Sequence, residues 1–221
     1  MHARGDAAIA LVLTAPFSLR QHRRLLALLE RIDATKPVDV LDVVPGHNEI
    51  LVLFDPGTPA RDIELWLWGL ARASAADGAP QNVSSIRIPV CFDPPFGLDL
   101  AAVATQLSMT ETQVVQAFTK PTYECTVVGF RPGFPYLEGL PNELVLPRHA
   151  SPRARVPRGS VAIAGGQAGI YPVDGPGGWR IIGQTNVALF DLTQSPPCLI
   201  TPGTRVQFYG VDRNALVQGT L

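Results

Sequence analysis

GSVAIAGGQAGIYP, residues 159–172, admits two readings, and they lead to different folds. A glycine-rich loop after a strand is the device that phosphate-binding folds use, but both known forms need a specific continuation. A Walker loop requires Lys and then Ser or Thr after its last Gly, and a dinucleotide fingerprint requires a helix. Here Gly169 is followed by Ile170-Tyr171-Pro172-Val173, which supplies no Lys and no orthodox helix start. The remaining reading is a pair of strands, residues 160–164 and 170–173, joined by a glycine turn. Such a turn still lets a ligand approach backbone N–H groups closely.

Outward from this stretch, the text from Tyr123 onward is crowded with Pro and Gly. Short apolar runs at 126–130, 161–164, 181–183, 187–190 and 206–209 are separated by turn signals. Thr201-Pro202-Gly203-Thr204 puts Pro and Gly at the two central positions of a type II turn. Many short strands with frequent turns point to a closed barrel or a sandwich. Before them, residues 98–106 read as a short helix, and Thr110 with Gln113 opens a second one, to about Phe118, with capping-box spacing.

The first third has a different character. Residues 7–13 read as a strand. Ser18 and Gln21 have capping-box spacing, and Leu25, Leu28, Leu29 and Ile32 then fall on one helical face. Pro37 stops that helix. Residues 38–44 and 50–54 read as strands around a Pro45-Gly46-His47-Asn48 turn. Thr58-Pro59 starts a helix that runs through Trp66 and Trp68 to about Arg72. The order β-α-β-β-α, with a further strand offered by residues 86–91, fits a small ferredoxin-like α/β domain. Residues 74–85, SAADGAPQNVSS, are the best linker candidate. The expected class is therefore α+β, with residues 1–83 as the first domain and 84–221 as a β-barrel domain.

Bulk properties exclude several functions. The 221 residues are 46% hydrophobic and 17% charged, with a net charge of −1, so neither nucleic acid nor an anionic membrane is expected as partner. No stretch reaches the roughly 18 apolar residues of a membrane span. The N-terminal apolar run is too short and too alternating for a signal h-region, which makes a reducing cytoplasm the expectation. Cys91, Cys125 and Cys198 offer no disulfide framework, and His2, His22, His47 and His149 form no metal-ligand pattern.

Three segments carry candidate chemistry. LPRHASPRARVPR, residues 146–158, gathers Arg148, Arg153, Arg155, Arg158 and His149, with no acid between Glu143 and Asp174. Arginine forks bind carboxylate and phosphate, so this is either an anion site or a solvated basic loop. GFRPGFPYLEGLP, residues 129–141, sets three aromatics beside Arg131 and Glu138. It reads as the wall of a ligand pocket or as a loop plugging a barrel end. GPGGWRIIGQT, residues 175–185, places Arg180 in an apolar strand, where it needs an anion or a carbonyl as partner. No nucleophile–base pair stands out.

Together these motifs resemble the KipI / PxpB family, the B subunits of 5-oxoprolinase, also called allophanate hydrolase subunit 1. The resemblance extends over nearly the whole chain through IPVCF near Cys91 and FGLDL at 96–100. It implies an N-terminal α/β domain and a C-terminal cyclophilin-like β-barrel in a cytoplasmic bacterial protein. It also implies a KipA-like partner, the C subunit of the enzyme, and in 5-oxoprolinase a LamB/YcsF-like A subunit. Such a complex opens the lactam 5-oxoproline to glutamate at the expense of ATP, with no metal site visible here. Related modules occur in the carboxyltransferase part of urea carboxylase, and one family member instead inhibits a sensor histidine kinase. On the enzyme reading, Gln167 and the glycine-turn N–H groups would hold an oxyanion, and Tyr171 would orient or protonate. His149 is carried as a further catalytic candidate, and Arg131, Arg148, Arg155, Arg158 and Arg180 would bind substrate anions. The sequence departs from the family pattern CYGGEFGPDL, reading CFDPPFGLDL at 91–100. Its second helix ends Phe118-Thr119, where the family places His and then Ser or Thr.

Overall fold

The computed structural model describes residues 1–13, 16–74 and 84–218. The chain divides into two compact units, Met1–Val83 and Ser84–Leu221. Most of the expected linker, residues 75–83, lies outside the described residues.

The first unit contains β1 (His2–Ala3), β2 (Ala8–Val12), α1 (Leu19–Thr35), β3 (Val40–Pro45), β4 (Glu49–Phe54) and α2 (Ala60–Ser74). The sheet order is β1-β2-β4-β3, and every pair is antiparallel. Strand β4 alternates half-buried and buried positions, so Ile50, Val52 and Phe54 all face one side. Leu25, Leu28 and Ile32 of α1, with Ile63 and Leu67 of α2, pack on them. Ser18 caps α1, accepting from the Gln21 N–H at 3.3 Å. The expected extra strand at 86–91 does not join this sheet. The edge beside β2 is taken by the short β1 instead.

The second unit contains β5 (Ser85–Val90), α3 (Leu100–Leu107), α4 (Glu111–Thr119), β6 (Tyr123–Val128) and β7 (Pro135–Glu138). A 3-10 turn (Asn142–Leu144) leads to β8 (Arg153–Val156), β9 (Ser160–Ala164), β10 (Gln167–Ile170), β11 (Gly175–Gly177), β12 (Arg180–Gln184), β13 (Arg205–Gly210) and α5 (Arg213–Gln218). Seven strands form one sheet in the order β12-β9-β10-β7-β6-β13-β5. Its two edges meet just beyond β5, where Cys91 and Gln184 exchange both backbone hydrogen bonds at 2.9 Å. The sheet is thus nearly closed into a barrel, which removes most of its free edge.

Alternation along the strands sends residues to two different cores. Tyr123, Cys125, Leu137, Val161, Ile163, Ala168, Ile170, Val206 and Phe208 fill the interior, joined by Val103 and Val114 from the helices and by Phe118. Their neighbours in sequence point outward. Ala162, Ala164 and Ile181 form a second apolar cluster with Phe134, Val156, Tyr171 and Trp179. A two-stranded ribbon of β8 and β11 packs over this outer face through Val156.

The described elements correct several expected boundaries. The expected strand at 170–173 lies instead at Gln167–Ile170, because Pro172 has no N–H to continue the ladder. The expected strand at 126–130 begins earlier, at Tyr123, and Phe130 leaves it with φ +66°. Residues 187–190 form no regular strand. Leu189 is buried from a loop whose only pairing is an isolated Phe190–Cys198 bridge. The type II turn is as expected, with Gly203 at φ +89° and the Thr204 N–H on Thr201 O at 3.0 Å.

Candidate functional site

The opening stretch is a tight hairpin. Gln167 pairs with Ala164, so the loop is Gly165-Gly166 alone. Gly165 takes φ +58° at the first loop position, which an L side chain adopts only with strain. Four residues on, Gly169 serves a different need. A Cβ there would lie 2.8 Å from Phe134 and 3.0 Å from Trp179, so its absence lets both rings lie against the strand.

Those rings wall a cavity of about 260 Å³ on the outer face of the barrel. Phe130, Phe134, Tyr136, Tyr171 and Trp179 supply its aromatic surface, and Arg148 supplies its charge. Phe134 meets Tyr171 and Trp179 edge-on, with centroids 5.2 and 5.5 Å apart. The Arg148 guanidinium lies 5.7 Å from the Trp179 ring centre. Phe130 is 59% exposed at the rim in a left-handed backbone conformation, a strain that persists only where the surroundings impose it. The loop at 129–141 therefore supplies a cavity wall through Phe130, Phe134 and Tyr136, while its Leu137 and Leu140 pack into the interior core.

Tyr171 is buried, with its oxygen close to Gly177; a Cβ on Gly177 would fall 2.2 Å from it. Burial raises the Tyr171 phenol above its ordinary range, and the Trp179 backbone N–H and Arg148 offset this only partly. It is a neutral hydrogen-bond donor at pH 7. Gln167 and Glu138 are paired on adjacent strands, and Gln167 Nε2 donates to Glu138 Oε1 at 2.6 Å. Two residues along the same strands lie Gly169 and Tyr136, so this pair sits about 7 Å from the aromatic wall on the same face.

The arginine-rich segment is divided among several partners. Arg180 is buried and donates through Nε to the Pro147 carbonyl at 2.9 Å, the carbonyl alternative of the two expected. Arg155 forms a fork on Asp174 at 2.6 and 2.9 Å, while the Arg158 backbone N–H reaches the same carboxylate at 2.7 Å. The Arg158 side chain is exposed. Arg131 stands apart from the segment, against Gly175 and 5.6 Å from the Phe130 ring centre. Of the expected anion-binding group, Arg148 lines the cavity and Arg131 borders its rim loop; Arg155, Arg158 and Arg180 are directed elsewhere.

Asp99 is the acid of the FGLDL motif, and it organises this region. Only 4% exposed, its carboxylate accepts from Arg153 Nη1 at 2.9 Å, Arg153 Nη2, the Ile181 N–H at 2.7 Å and His149 Nε2 at 3.2 Å. Burial pushes its pKa up, but the Arg153, Ile181 and His149 donors outweigh burial and hold it below the usual carboxylate range. Its signals in the sequence are the FGLDL motif and an Asp at a helix start, which ordinarily reads as a cap. His149 also donates its backbone N–H to Gly178 O at 2.8 Å, which ties it to the cavity wall.

Other chemistry is thinly represented. Cys91 and Cys125 are buried, and burial pushes the Cys125 thiol up to about 12, so neither offers a thiolate. Among the described residues, no three His, Cys, Asp or Glu are grouped to hold a metal, and no helix is long and apolar enough to cross a membrane.

Comparison with known proteins places the chain in a family. The family described as carboxyltransferase domain, subdomain C and D, matches residues 1–200. The chain is 38% identical to a 5-oxoprolinase B subunit of Escherichia coli O157:H7, over 92% of both chains. It is 37% identical to the 5-oxoprolinase B subunit of Haemophilus influenzae, over 92% of this chain and 93% of that one. Among solved structures, TTHA0988 superposes with a TM-score of 0.80 at 36% identity over 93% of this chain; the chain spans about two fifths of TTHA0988, 40% of its length. The conserved uncharacterized protein PH0987 from Pyrococcus horikoshii matches at 31% identity and TM-score 0.59, over 96% of this chain and 98% of its own. The Kluyveromyces lactis urea amidolyase, at 18% identity and TM-score 0.72, shares the fold over 96% of this chain, which covers 15% of that protein. The chain belongs to the family of 5-oxoprolinase B subunits, whose fold is the carboxyltransferase subdomain C and D module.

Proposed function

We propose that this chain is the B subunit of an ATP-dependent 5-oxoprolinase, a hydrolase opening the lactam 5-oxoproline to glutamate. It would act in the cytoplasm with a KipA-like C subunit, the direct partner, plus a LamB/YcsF-like A subunit. The observation that carries this reading is the aromatic cavity with one cation, Arg148, in a chain whose relatives bear that name. The substrate is a small, nearly flat ring bearing a carboxylate. An aromatic slot suits the ring, and an arginine suits the carboxylate. ATP, bound with the partner subunits, would phosphorylate the inert lactam oxygen; water would add to the activated carbon, the C–N bond would break as nitrogen takes a proton, and a second water would release phosphate from the resulting acyl phosphate to give glutamate.

The chain's own residues would then divide the work. Arg148 holds the carboxylate, with Arg131 near the rim. Tyr171 remains a phenol and donates to the lactam or delivers a proton to the departing nitrogen. Gln167, oriented by Glu138, hydrogen-bonds the reacting oxygen together with turn N–H groups. His149 supplies a basic nitrogen beside the wall. In this reading residues 1–83 are a ferredoxin-like α/β domain and 84–221 a cyclophilin-like barrel.

One observation favours a second reading, a non-catalytic inhibitor of a sensor histidine kinase. Phe118 is fully buried against Phe208, their ring centres 4.8 Å apart, where the family pattern places a His. Coexpression with the two partner subunits, followed by assay of 5-oxoproline-dependent ATP hydrolysis, separates the two. Turnover by the complex and none by the chain alone is expected. A pure, assembled complex without turnover would favour the inhibitor, and robust ATP-dependent turnover by the chain alone would contradict the shared-site account.

A further inference from the structure

Asp99 occupies the N-cap position of α3 but makes no side-chain cap. An Asp at that position ordinarily accepts from a first-turn N–H and stabilises the helix. Here the carboxylate turns away from its own helix and takes donors from two other elements: Arg153 of β8 and the Ile181 N–H of β12. The fourth donor is the ring of His149. The Asp99 backbone N–H also donates to Ile181 O at 2.7 Å, so the residue is fastened to β12 in both directions. A local cap has been given up for a fixed carboxylate, which is a pattern of functional sites.

We infer that Asp99 is a positioning residue that locks His149 as the Nε2–H tautomer and leaves Nδ1 as the basic nitrogen of the site. Ionised Asp99 can only accept, so the ring nitrogen 3.2 Å away must carry the proton. A neutral imidazole with its proton on Nε2 has its lone pair on Nδ1. Arg153 already balances the charge of Asp99. The arrangement has the logic of a carboxylate orienting a catalytic imidazole, with the free nitrogen able to take a proton from water. The positioning claim stands on the hydrogen bonds. Its use in lactam opening rests on the reading proposed above.

Two measurements test it separately. Nitrogen-15 NMR of the purified chain reads the His149 tautomer without any activity. The expected spectrum shows a protonated Nε2 at pH 8, and a protonated Nδ1 would overturn the inference even if the complex is active. The second measurement is kcat and KM in the assembled complex. Asp99→Asn removes the acceptor that fixes the ring, so kcat falls about 100-fold while KM for 5-oxoproline stays within about twofold. His149→Gln gives a similar loss of kcat. A His149→Gln complex with wild-type kcat would overturn the inference. A correct tautomer in a complex that does not open lactams would refute the enzyme reading while leaving the Asp99–His149 geometry in place.

Discussion

Arg148 and Arg155 stand seven residues apart in one basic segment, yet they have different partners. Arg155 is satisfied by Asp174 within the chain, whereas Arg148 lies over Trp179 at the cavity. Arg148→Ala should therefore leave stability within about 0.5 kcal/mol, as for an ordinary exposed site, while raising KM for 5-oxoproline at least 10-fold in the complex. Arg155→Ala should change KM little. Steady-state kinetics on both variants checks the contrast, and equal effects would mean that the cavity is not the carboxylate site. Gly177→Ala forces a Cβ to 2.2 Å from the Tyr171 oxygen, so the tyrosine must move. Ligand affinity should fall at least 10-fold, which calorimetric titration of the assembled complex would measure.

At the scale of elements, the first four helices are legible in the sequence, while α5 and several strands are not. Ser18–Gln21 and Thr110–Gln113 are local signals, and both operate; Thr110 and Gln113 exchange bonds at 3.2 and 2.8 Å. Thr110→Ala should cost about 1 kcal/mol, read as a shift in the urea midpoint. β7, β8 and β11 are rich in Pro, Arg and Gly, and their pairing is decided by distant partners, so no local pattern announces them. The opposite failure occurs at residues 187–190. Apolar composition there reflects burial of Leu189 from a loop, not a ladder. The sequence marks Gly169 only as part of a turn, but it is a spacing device for two aromatic rings. Gly169→Ala should destabilise by about 1–3 kcal/mol through overpacking, with near-ultraviolet circular dichroism reporting the disturbed Trp179. The aromatic loop is recognisable in the sequence as a candidate pocket wall, and it lines a cavity. The role of Asp99 is not legible, because its partners His149, Arg153 and Ile181 lie 50 to 82 residues away.

At the scale of the whole molecule, the barrel unit depends on ion pairing that joins its helical insertion to its outer wall. Asp99 has a depressed pKa in the folded state. Its contribution is therefore present above the unfolded value near 3.9 and is lost as pH falls through the lower folded value. Urea midpoints should drop steeply below about pH 4, and Asp99→Asn should flatten that part of the curve while lowering stability at pH 7. The barrel face offers one aromatic cavity with a cation, but ATP is expected to come with other subunits. The most direct test of the account is 5-oxoproline-dependent ATP hydrolysis by the chain coexpressed with the proposed KipA-like and LamB/YcsF-like subunits, compared between wild type and Arg148→Ala. The account predicts turnover by the wild-type complex, none by the chain alone, and a KM raised at least 10-fold in the variant. An assembled wild-type complex without lactam-dependent hydrolysis, or a variant with unchanged KM, would contradict it.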